Sequence, residues 1–102
     1  MNRIVEDKIS ELKVLCIKYK VDNLYVFGSI NTIDFNEESD IDFLISFSKK
    51  IIVDEYSENY FLLHAQLQAL FNRKIDLLTE NSLSNPYFIK SFEQSKQLVY
   101  EA

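Results

Sequence analysis

The chain has 102 residues, a formal net charge of −5, and an ordinary globular composition with 47% apolar and 26% charged residues. This length fits one domain over residues 1–102, long enough to bury its own core. The negative charge argues against direct nucleic-acid binding, which needs a basic surface to displace counterions. No apolar run is long enough to cross a membrane and no leader pattern opens the chain, so the expected location is the cytoplasm.

The single cysteine and the single histidine both favour structural roles. Cys16 has no second cysteine for a disulfide or a shared metal site. It lies on the apolar side of a predicted helix, where a free thiol packs as a small hydrophobe. His64 lies at the edge of another apolar stripe, which favours a structural histidine. The basic pairs Lys49-Lys50 and Arg73-Lys74 are interpreted as solvated ends of strands or loops.

The first half of the chain predicts one helix and two strands. Residues 2–20 place their apolar side chains at helical spacing. Residues 24–27 are apolar throughout, as in a strand buried on both faces, and this strand ends at Gly28-Ser29, the position of the only glycine. Such a glycine indicates that the backbone passes close to another group there. The polar segment 30–39 allows one short helical turn, and residues 40–47 alternate as a second strand.

The second half of the chain predicts a helix, a strand and a helix. The first helix covers residues 55–71 with Asp54 as its N-cap, and the strand covers residues 74–79. Asn85-Pro86 starts a last helix that runs to about Tyr100. The element order is therefore α-β-β-α-β-α, which predicts an α+β fold with a small sheet covered by helices.

A pair of carboxylates interrupts the apolar second strand. Asp40 and Asp42 face the same side, with Cα atoms roughly 7 Å apart. Two such carboxylates repel and are costly to bury, and a divalent cation between them removes that cost. Asp76 has the same orientation on the later strand. If the two strands are neighbours, three carboxylates converge as a metal site for phosphoryl or nucleotidyl transfer requires.

Gly28-Ser29 predicts a phosphate contact near these carboxylates. Backbone N–H groups at such a turn, together with the serine hydroxyl, can hold a phosphate. A Walker loop and a dinucleotide fingerprint are excluded, because each needs at least two glycines. The combined pattern predicts a triphosphate site in which an attacking hydroxyl displaces pyrophosphate.

Gly28-Ser29, then ten residues, then Asp40-Ile41-Asp42 and the later Asp76 resemble the minimal nucleotidyltransferase family of the DNA polymerase β superfamily. The resemblance covers roughly residues 12–79. It implies a mixed sheet with flanking helices and Mg²⁺-dependent transfer of a nucleoside monophosphate, with AMP from ATP the expected case. By this resemblance Gly28 and Ser29 would hold the triphosphate, Asp40 and Asp42 would bind metal, and Asp76 would be the third carboxylate of the metal and catalytic site.

The same resemblance implies a protein partner. Many minimal members act as the antitoxin to a HEPN-domain ribonuclease, and some transfer AMP to a tyrosine of it. The expected partner is therefore a small helical HEPN-type toxin, modified on a hydroxyl. The family usually continues after Gly-Ser with a small residue, an Arg and a second Gly, whereas this chain has Ile30-Asn31-Thr32-Ile33. Asn31 and Thr32 are the remaining candidate phosphate donors in that loop. The alternative is a non-catalytic module that keeps the fold and neutralises its partner by contact.

Simpler interpretations of the same residues remain open. The Asp-x-Asp pair is also compatible with a solvated strand end next to Glu37-Glu38, and Asp76 could form an ion pair with Lys74. The helix over residues 55–71 carries three aromatic residues that are interpreted as core, and not as a base-stacking platform: Tyr56, Tyr60 and Phe61.

Overall fold

The computed structural model describes all 102 residues as one four-stranded sheet with helices on both faces. In chain order the elements are α1 (Arg3–Glu6), α2 (Ile9–Lys18), β1 (Val21–Phe27), β2 (Ile41–Phe47), α3 (Val53–Phe71), β3 (Ile75–Thr79), α4 (Pro86–Ser95) and β4 (Gln97–Glu101). Short 3-10 turns follow β1 (Gly28–Asn31) and β3 (Glu80–Ser82). The predicted α+β class is confirmed. None of the helices has the length and apolar character needed to span a bilayer.

The sheet is mixed, as the resemblance implied. Its strand order is β3-β2-β1-β4. β1 is antiparallel to both β2 and β4, and β2 is parallel to β3. The two edge strands are therefore β3 and β4, and β1 and β2 lie in the middle.

Strand alternation divides the apolar side chains of β2 between two cores. The main core lies between the sheet and helices α2 and α3, and it contains Ile41, Phe43 and Ile45 of β2, each 0% exposed. On the opposite face, Leu44 packs in a smaller cluster with Phe27 of β1 and Phe92 of α4. The predicted face assignment of β2 is confirmed, and the face that carries Asp42 and Leu44 is the one that α4 covers.

The predicted last helix is wrong in its second half. α4 ends at Ser95, and after the extended residue Lys96 (φ −63°, ψ 143°) the chain enters β4, which pairs with β1. Val99 is buried at 9% exposure while Leu98 is 45% exposed, which is the alternation of a strand. Without β4, the outer N–H and C=O groups of β1 would have no partners, so pairing there outweighs continuation of the helix.

The predicted helix over residues 2–20 is also divided. It breaks at Asp7-Lys8 into α1 and α2, and Asn2 caps α1 by accepting a 2.8 Å hydrogen bond from the Ile4 N–H. Cys16 is buried as predicted, and burial raises the pKa of its thiol to about 12, which makes it unreactive.

Helix α3 begins earlier than predicted. Ile52 occupies the N-cap position without a side-chain hydrogen bond, so the prediction of Asp54 as N-cap is wrong. Asp54 lies instead in the first turn, where its negative charge complements the helix dipole. Asn72 ends the helix in the left-handed conformation (φ 50°), consistent with the predicted end.

The aromatic residues of α3 do not all belong to the core. Tyr56 and Tyr60 pack against the main core as predicted. Phe61 is 68% exposed, so its assignment to the core is wrong.

Candidate active site

The end of β1 lies against the start of β2, because the two strands are antiparallel and Phe27 is the register partner of Asp42. Gly28 follows with φ +76°, and a Cβ on this residue would lie 2.5 Å from Asp42 Oδ2. Both features require glycine, since side chains rarely adopt this conformation and no space remains for one. The glycine therefore marks a close approach of the backbone to a carboxylate.

Asp42 and Asp76 are direct neighbours across β2 and β3, because the parallel register pairs these two residues. Adjacent strands place their Cα atoms about 4.8 Å apart. Asp42 is half-buried and Asp76 is exposed. Burial raises the pKa of Asp42 to about 6, and the negative charges of Asp76 and Asp40 add to this effect. Because β2 pairs directly with β3, the condition set in the sequence analysis for the convergence of the carboxylates, that their two strands be neighbours, is met.

Asp40 lies one residue before β2, and its carboxylate is partly open to solvent. Its Oδ2 is 3.8 Å from the Lys74 Nζ, and both side chains are exposed. Lys74 therefore pairs with Asp40, and the alternative pairing of Lys74 with Asp76 is wrong. No group of three or more His, Cys, Asp or Glu side chains is gathered tightly enough to enclose a metal ion. The three aspartates instead form an open acidic edge at the start of β2 and β3.

The chemistry of this acidic edge fits a divalent cation. Mg²⁺ takes oxygen ligands and is typically held by one or two carboxylates, with phosphate oxygens and water completing its coordination. Asp42 and Asp76 supply such carboxylates. Burial is the largest cause of the raised pKa of Asp42, and the neighbouring negative charges of Asp76 and Asp40, which add to it, are charges that a cation would neutralise.

The turn after β1 presents one uncommitted side-chain donor. Ser29 is exposed, and its hydroxyl makes no hydrogen bond within the protein. The Gly28 N–H donates to Ser95 Oγ (3.0 Å), the Asn31 Nδ2 donates to Ser95 O (2.7 Å), and the Thr32 hydroxyl donates to Ser29 O (2.8 Å). Ser95, at the end of α4, thus holds the turn in place. Nothing in the sequence pattern indicated this contact, because it joins segments more than sixty residues apart.

Arg73 fixes the loop that leads into Asp40. Its Nη1 donates to the carbonyl oxygens of Asn36 (3.1 Å) and Ser39 (2.9 Å), and its guanidinium lies 4.8 Å from the centroid of the Phe35 ring. The prediction that Arg73 is a solvated strand end is therefore wrong, whereas Lys74 is indeed solvated. A planar guanidinium can donate hydrogen bonds through its edge while its face stacks on an aromatic ring, whereas the ammonium group of lysine has no planar face to stack.

Replacing Arg73 with Ala should cost about 1–2 kcal/mol of unfolding free energy, because two charge-assisted hydrogen bonds and a cation–π contact are lost. Lys74→Ala, the matched control at the next position, should cost less than about 0.5 kcal/mol, since an exposed pair at long distance contributes little. Urea unfolding measures both values. Equal costs for the two variants would contradict the role assigned to Arg73.

The raised pKa of Asp42 predicts how stability depends on pH without metal. The native state holds the Asp42 proton up to about pH 6, whereas the unfolded chain releases it near the ordinary value of 3.8. The native state therefore binds more protons between these values, and the stabilising contribution is complete below pH 3.8 and lost as pH rises through about 6. In EDTA, wild type should lose stability relative to Asp42→Asn between pH 4 and pH 7.5. Urea unfolding across this range tests the prediction, and a constant difference would refute it.

A glycine turn lies against an aspartate, and a second aspartate lies beside the first on a parallel strand, which is the arrangement that the resemblance to nucleotidyltransferases implied. Residues 10–102 match the family described as "Polymerase beta, Nucleotidyltransferase". The chain belongs to this family, and it is a nucleotidyltransferase.

Relatives in Methanocaldococcus jannaschii bear the name "Putative protein adenylyltransferase". One is 40% identical over 88 residues, which cover 86% of this chain and 84% of the relative. A second is 39% identical over 88 residues, with the same coverage of both chains.

Solved structures agree on the fold. One described as a "putative minimal nucleotidyltransferase" has a TM-score of 0.66 at 19% identity and covers 95% of both chains. A toxin–antitoxin crystal structure with AMP-PNP has a TM-score of 0.68 at 16% identity, covering 92% of this chain and 73% of that one. A tri-AMPylated Shewanella oneidensis HEPN toxin in complex with MNT antitoxin has a TM-score of 0.64 at 14% identity, with coverage of 96% and 73%.

Proposed function

We propose that this nucleotidyltransferase transfers AMP from ATP, with Mg²⁺, to a hydroxyl group of a protein partner in the cytoplasm. We further propose that the partner is a small helical HEPN-type toxin and that the modification neutralises it. The observation that carries the proposal is the direct pairing of Asp42 with Asp76 beside the backbone of Gly28. In the proposed reaction the two carboxylates would bind the cation, and the turn at Gly28 would approach the phosphates.

Each predicted site residue has a role in this reaction. Asp40, Asp42 and Asp76 would hold Mg²⁺, which when bound supplies positive charge against the phosphate oxygens. Asp76, which is exposed on the edge strand β3, would also accept the proton of the attacking hydroxyl. The oxygen of that hydroxyl would bond to the α-phosphorus as the bond from the α-phosphorus to pyrophosphate breaks.

The turn after β1 would receive the phosphates. The Ser29 hydroxyl is exposed and uncommitted, so it can donate at once. The donors of Gly28, Asn31 and Thr32 already make hydrogen bonds within the protein, and they would have to break these bonds before they could bind phosphate. Since none of these donors is charged, each contact is weaker than an arginine contact would be, which leaves the cation to bind most of the phosphate charge.

The proposed acceptor and partner rest on two further observations. The relatives in Methanocaldococcus jannaschii bear the name "Putative protein adenylyltransferase", and a structure of the same fold is of an antitoxin in complex with an AMPylated HEPN toxin.

Labelling with ATP tests the proposal. The protein is incubated with Mg²⁺, a HEPN-type protein encoded beside its gene, and ATP labelled at either the α- or the γ-phosphate. The partner should acquire label from α-labelled ATP only, because pyrophosphate leaves, and the same reaction with Asp42→Asn should give none. Absence of α-label on the partner would overturn the proposed reaction.

The same experiment tests neutralisation by contact. This alternative is favoured by the internal hydrogen bonds that occupy three of the four predicted phosphate-binding residues. It predicts that Asp42→Asn still suppresses the ribonuclease activity of the partner. The transfer mechanism predicts that this variant does not suppress it.

A further inference from the structure

β3 is an edge strand, and part of its backbone faces away from the sheet. The Lys74 carbonyl points toward β2, where it accepts a hydrogen bond from the Ile41 N–H (3.2 Å). Because carbonyl directions alternate along a strand, those of Ile75 and Leu77 point outward, where the sheet has no further strand. These two carbonyls lie on either side of Asp76.

Helix α3 supplies side-chain partners for both outward carbonyls. Tyr60 Oη donates to Leu77 O at 2.6 Å. His64 Nε2 lies 2.7 Å from Ile75 O, and since a carbonyl can only accept, the ring carries its proton on Nε2. Tyr60 and His64 are one helical turn apart, with ring centroids separated by 6.2 Å. Together they fasten β3 to α3 at the two residues that flank Asp76.

We propose that Tyr60 and His64, named here the carbonyl clamp, are positioning residues for the Asp76 carboxylate. The inference rests on the proposed function, in which Asp76 binds the cation and takes the proton of the acceptor. Asp76 is exposed and has a strand neighbour on one side only. Its distance from Asp42 therefore depends on how firmly β3 is held from the other side, and the carbonyl clamp provides that hold.

A purely protective role is the competing explanation. Capping outward carbonyls also prevents another chain from pairing with an edge strand. Protection predicts that loss of the carbonyl clamp changes stability or self-association and leaves cation binding unaltered. Positioning predicts a change in cation binding that operates through Asp76.

Matched substitutions separate the two roles. Tyr60→Phe removes only the hydroxyl. His64→Asn cannot reach Ile75 O, whereas the longer His64→Gln places an amide donor near the position of Nε2 and should restore the bond. Tyr56→Phe is the control on the same helix, because the Tyr56 hydroxyl contacts Asn81 (3.4 Å) and no carbonyl of β3.

Three measurements apply to the full-length protein. In the double variant Tyr60→Phe/His64→Asn, the rate of amide hydrogen exchange along β3 should rise about tenfold. The Kd for Mn²⁺, measured by water-proton relaxation, should rise about fivefold. In the partner-labelling assay kcat should fall about tenfold while KM for ATP stays within about twofold, as for a group that acts at the acceptor. Tyr56→Phe should match wild type, and His64→Gln should exceed His64→Asn in Mn²⁺ affinity.

The Asp76→Asn background gives the decisive comparison. If the carbonyl clamp acts through Asp76, adding its double substitution to Asp76→Asn should leave the Kd for Mn²⁺ unchanged. A further loss in that background, or an unchanged Kd in the double variant alone, would overturn the inference and leave the proposed function standing. Failure of the wild-type protein to bind Mn²⁺ would instead overturn both.

Discussion

Replacing Asp42 with Asn is expected to lower the rate of nucleotidyl transfer about a thousandfold while the fold stays intact. An amide cannot supply the negative charge that would hold the cation in the proposed reaction, and loss of cation stabilisation costs several kcal/mol at about 1.4 kcal/mol per factor of ten. Asp42 is the central member of the acidic edge, since it contacts Gly28 on one side and is paired with Asp76 on the other. No other single carboxylate connects both halves of the site.

The same substitution should not destabilise the metal-free protein. Asn has nearly the shape of Asp, and it removes a half-buried charge whose pKa is raised to about 6 by burial and by two neighbouring carboxylates. We therefore expect the unfolding free energy at pH 7.5 in EDTA to equal or exceed that of wild type. Loss of activity without loss of stability is typical of a residue selected for chemistry at some cost to the fold.

Partner labelling and urea unfolding on the same preparations test both expectations. Asp54→Asn makes the same chemical change in the exposed first turn of α3. It should change the transfer rate by less than about twofold and the unfolding free energy by at most about 1 kcal/mol, the cost of losing a charge that complements the helix dipole. Asp42→Asn with a tenth or more of the wild-type rate would contradict the central role of this carboxylate.

Local patterns in the sequence were sufficient to predict the parts of the site that lie within one element. Alternation along β2 separates Asp42 from the core residues Ile41 and Phe43, and the lone glycine indicated a close backbone approach. The pairing of Asp42 with Asp76 depends on the parallel register of β2 and β3, whose residues are more than thirty positions apart in the chain. Alternation in one strand cannot reveal which strand lies beside it. The sequence could therefore predict the approach of Asp42 to Asp76 only on the condition that their two strands are neighbours.

The errors in the predicted fold have a similar cause. Gln97–Glu101 follows α4 after a single residue, without the glycine or proline that usually separates a helix from a strand. Its strand conformation depends on pairing with β1, a contact that no local pattern records. The sequence did not reveal the hydrogen bonds of Arg73, Ser95 and the carbonyl clamp for the same reason, because each of these bonds joins a side chain to backbone atoms of a distant segment.

Gly28→Ala is expected to damage both stability and activity, in contrast to Asp42→Asn. At φ +76° an alanine costs about 1–2 kcal/mol through backbone strain alone. Its Cβ would also lie 2.5 Å from Asp42 Oδ2, well inside van der Waals contact, so the carboxylate must move. We expect a total loss of about 2–3 kcal/mol in unfolding free energy, and at least a tenfold loss in transfer rate because Asp42 leaves its place beside Asp76.

A double-mutant cycle separates backbone strain from the clash. In an Asp42→Ala background the carboxylate is absent, and of the three nearest atoms to the new Cβ only the Cβ of residue 42 remains, at 3.7 Å, an ordinary van der Waals distance. Gly28→Ala should then cost only the backbone term of about 1–2 kcal/mol. Urea unfolding of the four proteins in EDTA measures the difference. An equal cost in both backgrounds would mean that Gly28 is needed for its conformation alone, and that the space beside Asp42 is not what restricts this position to glycine.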